Sequence, residues 1–429
     1  MKDINLFGRK VATIILAGGQ GTRLFPLTVN RCKPAVNFAG RYRLIDIPIS
    51  NALNSQFRNI FVISQYLASS LNQHVHDTYA LDQFQGGCIE CLTPEQTPLH
   101  RIFFKGTADA VRKNMQRLLK GNFDYFLILS GDQLYNMDLA DLVRFAIKKD
   151  ADLTIATLPV LKEDAMRMGL LKIDEEFNAV DFYEKPKDPK ILHQYRMPKE
   201  AVRPAHLKEK PCFLASMGIY FFKRKVLEDL LQEDLREDFG MHLIPTQIKK
   251  GNTAAYVYDG YWEDIGTIRS YFNASLNLTR SQLSLDFYNE NDPIHAQMTN
   301  LPAARISGTR INDSIICDGS IVEASEITHC MIGLRSHIKK GSKLKNCILL
   351  GNQFYSPPKS QEGLLPKQFS IGENCHIENA IIDEHAQIGN NVTLLNHENH
   401  QTFDSDKLYI RDGIIIVPSG AEIPDGYAI

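Results

Sequence analysis

From Ile371 onward an apolar residue falls close to every sixth position: Ile371, Ile377, Ile382, Ile388 and Leu394. Gly and Asn sit between them, as in Ile371-Gly372 and Ile388-Gly389. That spacing suits a left-handed parallel β-helix, whose short coils stack and bury their apolar positions in one column. The same texture begins near residue 300 with Ile311, Ile315, Ile316 and Ile321, and continues through Ile332-Gly333, Ile338 and Leu344. Gln353–Gln368, carrying Pro357, Pro358 and Pro366, breaks the period and reads as a loop inserted between coils. A chain of 429 residues is too long for one ordinary core, so a second domain is expected in front of this one.

The N-terminal part has a different pattern. Val11–Leu16 is a short, wholly apolar run that stops at the Gly-rich stretch Ala17–Gly21, and similar runs occupy 60–63, 125–129 and 153–156. Between them Ala108, Val111, Met115, Leu118 and Leu119 fall at helical spacing, as does Leu139–Ile147. Strands alternating with helices predict an α/β, Rossmann-like domain on a mostly parallel sheet covered on both faces. Ligands of such sheets sit at the carboxyl ends of the strands. The expected division is a catalytic domain at 1–290, a connector at 291–302 within the Pro-bearing stretch Asn289–Pro302, and the β-helix at 303–429.

Charge narrows the function classes. Lys plus Arg is 48 and Asp plus Glu is 50, a net charge of −2 that suggests neither a nucleic-acid partner nor a polybasic membrane patch. The start, MKDINLFGRK, lacks a signal peptide's apolar run, and no stretch approaches the ~18 apolar residues of a membrane span. Eight scattered cysteines make no disulfide framework, and the expected setting is cytoplasmic and reduced.

Four motifs carry chemistry. In Leu16–Leu24 the glycines let backbone amides approach a triphosphate, and Arg23 adds a forked cation matched to phosphate. The spacing is neither a Rossmann fingerprint nor a Walker A loop, but Lys33, in Lys33-Pro34-Ala35, offers the same loop a second cation. In Leu129–Gln133 an apolar strand ends at Asp132, placed either to hold Mg²⁺ or to cap the next helix. In Tyr261–Thr267, Asp264 is either a second metal carboxylate or part of a turn before a helix starting at Gly266-Thr267. In Phe182–Pro186, Glu184 suits sugar hydroxyls and Lys185 a sugar phosphate.

Taken in order, AGGQGTRL, KPAV, SGDQLY, EKP, ASMGIY and YWEDIGT resemble the bacterial and plant ADP-glucose pyrophosphorylases over essentially the whole chain. Gly106–Arg112 and Arg43–Ser55 resemble this branch more than the uridylyl- or thymidylyltransferases. The resemblance implies a glucose-1-phosphate adenylyltransferase, which makes ADP-glucose and pyrophosphate at the committed step of glycogen or starch synthesis. It implies ATP contacts at Ala17, Gly18, Gly19, Gly21, Thr22, Gln65, Gly106, Thr107 and Asp109. Glucose 1-phosphate would lie on Gly169, Glu184, Lys185 and Ser216, with Mg²⁺ on Asp132 and Asp264. Arg23, Lys33, Asp132, Lys185 and Asp264 would carry the catalysis. A homotetramer binding anionic allosteric metabolites between its domains is implied as well.

The departures concern regulation. Asn30 stands where enteric relatives bind fructose 1,6-bisphosphate through a lysine, and Arg411 and Ser419 stand at lysine positions that bind 3-phosphoglycerate in cyanobacterial and plant relatives. Phe104 replaces a substrate-side tyrosine of some bacterial relatives. Three rival readings remain open. His397–His400 in a hexapeptide tail would suit an acetyltransferase fused to the pyrophosphorylase. Loss of activity would make a regulatory subunit, but Arg23 and Lys33 are both kept. A UTP or dTTP enzyme differs by few base contacts. Cys88–Cys91 has zinc-like spacing without a second pair and reads as ordinary thiols in or near a loop; His74 and His76 read as structural, on a strand or irregular edge.

Overall fold

The computed structural model describes residues 8, 10–81, 86–94, 103–197, 210–281, 285–356 and 369–429. In the N-terminal domain the apolar runs pair into one sheet: β1 (Val11–Leu16), β2 (Asn59–Ile63), β3 (Cys88–Leu92) and β4 (Tyr125–Ser130) lie parallel in the order β4-β1-β2-β3. Beyond β4 come a short β5 (Gln133–Tyr135), then β6 (Leu153–Val160), β7 (Gly169–Ile173), β8 (Ala179–Glu184) and the long β9 (Phe213–Lys223). Strand β9 runs antiparallel to β4, β6 and β7, while β10 (Thr253–Val257) pairs parallel with β6. The Rossmann-like half therefore lies where the Gly-rich loop emerges, and a mixed half carries the fourth motif.

Burial explains why these runs are strands. Val11, Ile15, Leu127 and Leu129 face one apolar cluster while Ala12, Ile14, Phe126 and Ile128 face another, so a strand covered on both faces has no polar alternation to show. Helices α1 (Asp46–Asn54), α2 (Ala68–Thr78), α3 (Thr107–Leu118) and α4 (Leu139–Lys148) are among those of this domain. His74 and His76 lie on α2 rather than on a strand or edge: their two-residue spacing places His74 inward, 2.6 Å from Asp46, and His76 in solvent. The Cys88–Cys91 pair forms part of β3 rather than a loop, and all eight cysteines are free thiols.

The C-terminal domain is a stack of short parallel strands. Ile311, Ile327, Leu344, Ile377 and Leu394 sit in register one above another, each partner roughly three hexads along or that plus the insertion. Val322, Ile338, Ile371, Ile388 and Ile423 form a second column. Asn346, Asn374, Asn379 and Asn391 turn the corners with positive φ, the conformation a short amide side chain tolerates. Most of the inserted loop, 357–368, lies outside the described residues. The repeat does not end after His400. A hairpin of Thr402–Asp404 and Tyr409–Arg411 interrupts it, Ile414–Val417 rejoins the stack in parallel with Ala380–Ile382, and a last coil follows, with Ile423 on Ile388.

The domains share an apolar cluster in which Leu24, Leu27, Phe38 and Tyr271 meet Met331, Ile348, Ile381 and Ile416. The connector is pinned to α1, where the His295 amide donates to Ser50 Oγ (2.8 Å) and Asn54 donates to the Pro293 carbonyl (3.0 Å). Beside the shared cluster Arg31 meets Asp383 and Glu384, all largely buried. Burial outweighs the attraction of Arg31 and pushes the Asp383 carboxyl up to about 6, from an ordinary 3.8. Its folded form thus binds a proton that the unfolded chain has released, and stability falls as pH rises through that window. In urea titrations the stability of the protein is expected to drop from about pH 4 to pH 6.5, and Asp383→Asn is expected to flatten that slope. An unchanged slope in the variant would refute it.

Candidate active site

The site opens at the carboxyl end of β1. The Ala17 amide donates to the Ile63 carbonyl (2.8 Å) and the Gly131 amide to the Leu16 carbonyl (3.0 Å), so the first and second motifs leave the sheet side by side. Gln65 holds the loop from the flank: its amide nitrogen reaches the carbonyls of Gly18 (3.1 Å) and Phe104 (3.3 Å), and its oxygen accepts from the Phe104 amide (2.8 Å). Gly21 has a φ of +63°, and a Cβ there would lie 2.8 Å from the Cβ of Lys33. Glycine is therefore required both by the turn and by the lysine behind it. Thr22 and Arg23 follow in a short 3₁₀ turn, exposed at the mouth.

Lys33 points into the same space, largely buried. Its ammonium pairs with Asp132 and lies 3.8 Å from Asp264. The carboxylates come together because β5 pairs antiparallel with β11 (Trp262–Asp264), Gln133 opposite Asp264, and the Ile265 amide donates to the Asp132 carbonyl (3.2 Å). Asp132 caps no helix, since β5 follows it directly. In the third motif Asp264 lies beside Lys33, and Thr267 caps α5 (Ile268–Asn277) through a reciprocal pair with Ser270. Burial raises the Asp264 carboxyl, the charge of Asp132 raises it further, and Lys33 and Arg23 oppose both. Arg23 reaches this group across Gly266, where a Cβ would sit 3.6 Å from its guanidinium and 3.1 Å from Asp264 Oδ2.

The fourth motif lies on the mixed half of the sheet. Glu184 ends β8 opposite Gly169, and a Cβ at Gly169 would meet Glu184 Oε2 at 2.7 Å and the Phe182 ring at 2.4 Å. The absence of a side chain at Gly169 leaves Glu184 its place. Lys185 turns with φ +49° and pairs with Glu184 (2.8 Å), its side chain 60% exposed and open to a second anion. Ser216 sits at a bulge in β9, where its hydroxyl accepts from the Gly218 amide (3.2 Å). Gln133 joins the two halves, donating to the Met217 carbonyl (2.7 Å) and accepting from the Trp262 indole (3.3 Å).

Two family models match this chain: one described as nucleotidyl transferase over residues 12–281, and one described as the GLGC left-handed parallel β-helix domain over 299–428. The chain belongs to the nucleotidyl transferase family. A nucleotidyl transferase domain followed by a GLGC β-helix is the architecture of the ADP-glucose pyrophosphorylases, and it points to adenylyl transfer.

Within the nucleotidyl transferase domain, Gly18, Gly21, Arg23, Lys33, Asp132 and Asp264 form one cluster, flanked by Gln65. Gly169, Glu184 and Lys185 form another, tied to the first through Gln133 and the Ser216 bulge. Gly106, Thr107 and Asp109 have partners of their own. Thr107 donates to Asp238 (3.2 Å) and accepts from the Phe239 amide (3.0 Å), and Asp109 accepts from the Lys105 amide (2.9 Å) and pairs with Lys113 (2.7 Å). A Cβ on Gly106 would fall 2.4 Å from the backbone oxygen of Glu237, which also accepts from the Ala108 amide (2.8 Å). Gly106→Ala is accordingly expected to cost about 2–4 kcal/mol of unfolding free energy, measurable by urea denaturation; a loss under ~0.5 would show that the 237–239 segment yields freely.

Gln133 and Arg167 were not singled out by the sequence. Arg167 bears on Asp264 electrostatically, yet it lies in an unremarkable polar stretch, and only the folded sheet brings it near. In the tail, His400 pairs with Glu398 (2.9 Å) and packs beside Phe403. Among the described residues no three His, Cys, Asp or Glu side chains form a metal cluster. Two adjacent hard carboxylates, Asp132 and Asp264, do fit Mg²⁺, a hard cation that proteins commonly bind through one or two carboxylates. No described helix is long and apolar enough to cross a membrane.

Proposed function

We propose that this protein transfers the adenylyl group of ATP to glucose 1-phosphate, releasing pyrophosphate, with Mg²⁺ on Asp132 and Asp264. One observation supports the reading above the others: Arg23 and Lys33 converge with two carboxylates beside a Gly-rich turn. The ATP phosphates would lie along Gly18–Thr22, the adenine beside Gln65 and the Phe104 backbone. Glucose 1-phosphate would take Glu184 through its hydroxyls and Lys185 through its phosphate.

A phosphate monoester with a second pKa near ~6 is already a nucleophile at neutral pH. Its oxygen attacks the α-phosphorus, that bond forms, and the bond from the α-phosphorus to the bridging oxygen breaks. The electron pair leaves with pyrophosphate, and no base or covalent intermediate is required. Mg²⁺ held by Asp132 and Asp264 would supply charge neutralisation at the reacting phosphates. Lys185 binds the phosphate of glucose 1-phosphate, while Lys33 and Arg23 stabilise the leaving group. Deep between its carboxylates, Lys33 is in place before substrate arrives. A homotetramer regulated by anionic metabolites is part of the same proposal, motivated by the two-domain architecture.

The test is pyrophosphate release from glucose 1-phosphate and Mg²⁺ with ATP, UTP, dTTP and GTP in parallel, each with and without fructose 1,6-bisphosphate or 3-phosphoglycerate. Turnover strongest with ATP is expected. Preference for UTP or dTTP would move the enzyme to another sugar nucleotide, and silence in every arm would favour a regulatory subunit.

A further inference from the structure

The turn that carries Lys33 is anchored outside its own domain, at both ends and on one corner of the β-helix. Before the turn, Arg31 is 5% exposed, and its guanidinium donates to Glu384 Oε2 (2.9 Å) and to Asp383. After the turn, Asn37 Nδ2 donates to the other oxygen of the same carboxylate, Glu384 Oε1 (3.0 Å), and to the Leu350 carbonyl (3.2 Å). Between these anchors the chain makes a single 3₁₀ turn over Lys33–Ala35, closed by Ala35 N to Cys32 O (3.0 Å) and Val36 N to Lys33 O (3.1 Å).

The β-helix corner is itself held. The Asp383 amide donates to the Val417 carbonyl (3.0 Å), the Glu384 amide to Asp383 Oδ1 (2.7 Å), and the Gly420 amide to the Glu384 carbonyl (3.0 Å). Glu384 is 9% exposed, so its two bonds face little competition from water. A bidentate carboxylate gripping both flanks of a three-residue turn fixes where the residue within it points. That residue is the lysine that pairs with Asp132 and lies 3.8 Å from Asp264.

We propose that Glu384, with Arg31 and Asn37, is a positioning clamp for Lys33, so that the β-helix supplies part of the catalytic geometry. The clamp acts through Lys33 and touches no substrate. The proposal rests on the adenylyl-transfer reading for the role of Lys33. It predicts a loss in kcat without a loss in glucose 1-phosphate binding, because Glu184 and Lys185 stand on the other half of the sheet.

The experiment is a double-mutant cycle in the full-length chain, with Glu384→Ala introduced alone and in a Lys33→Met background. The nucleotide is whichever the unsubstituted chain turns over, and thermal unfolding of every variant is followed alongside. The expected result is a kcat reduced at least tenfold by Glu384→Ala alone, with KM for glucose 1-phosphate within twofold. In the Lys33→Met background the same change is expected to alter kcat less than twofold. Equal losses in both backgrounds, or an unchanged kcat in Glu384→Ala, would overturn the clamp and leave the function standing. No turnover by the unsubstituted chain with any nucleotide would overturn the function and the clamp together. Should Glu384→Ala not fold, Asn37→Ala releases one flank only and is read in the same cycle, with a kcat loss of at least threefold expected in place of tenfold.

Discussion

Replacing Asp132 by Asn is expected to lower kcat about a thousandfold while the protein melts within ~2 °C of the unsubstituted chain. Asn keeps the shape of the side chain but only one of its two acceptors: Ser130 and Lys33 bond different oxygens of Asp132, so the amide oxygen can accept from the Lys33 ammonium while the amide nitrogen donates to the Ser130 hydroxyl oxygen. What it removes is the charge. Asp264 then stands alone against Lys33 and Arg23, a surplus of cation where Mg²⁺ is proposed to bind. Losing a preorganised charged group at a reacting phosphate typically costs about 3–4 kcal/mol of transition-state stabilisation, roughly 10²–10³ in rate. Asp132 adds the loss of metal affinity to that. The fold is spared because Asp132 is partly exposed and the apolar clusters beneath it do not include it. Steady-state pyrophosphate release and a thermal melt decide the matter. Turnover above a tenth of normal at saturating Mg²⁺ would remove Asp132 from the metal site.

For Lys185→Gln the expectation is a KM for glucose 1-phosphate raised roughly 30-fold, with kcat changed less than about threefold. A charged hydrogen bond to phosphate contributes on the order of 1.5–3 kcal/mol, and each 1.4 kcal/mol is tenfold in affinity. Lys185 would grip the phosphate in the ground state and the transition state alike, and uniform binding of that kind appears in KM. Its exposure means that the substitution leaves no buried cavity, although Glu184 loses a partner at 2.8 Å. The left-handed φ of +49° at this position is shared by the variant, so backbone strain is not altered. Initial rates across a glucose 1-phosphate series, at saturating ATP, measure both constants. A fall in kcat with an unchanged KM would mean that Lys185 acts on the transferring phosphorus instead of holding the sugar phosphate.

The sequence was most legible where side chains alternate between fixed partners at fixed intervals. Six-residue recurrence predicted the β-helix because each coil must present an apolar residue at the same corner as its neighbours, which Ile311, Ile327, Leu344 and Ile377 do. The hairpin of Thr402–Asp404 and Tyr409–Arg411 escaped it because those two strands leave the stack, which Ile414–Val417 rejoins beside Ala380–Ile382. The His74 and His76 spacing misled for a related reason. Two residues apart is a shared face on a strand but nearly opposite faces on a helix, and α2 puts one inside and one out.

Local motifs made single residues legible, and tertiary structure decided their meaning. Gly21, Arg23, Lys33, Asp132, Glu184, Lys185 and Asp264 could be named from the chain alone, because strand ends, glycines and lone charges are written locally. Whether Asp132 capped a helix or stood beside a second carboxylate could not. That depended on β5 following it and on β11, which begins more than a hundred residues later, pairing alongside to deliver Asp264. The partners of Gln65, the bridge through Gln133 and the grip of Glu384 on the Lys33 turn are likewise contacts between distant segments. A sequence specifies backbone period and local charge directly, since both act between near neighbours. It specifies such contacts only through the packing of the whole, where the free energy of burial selects which distant polar groups must meet.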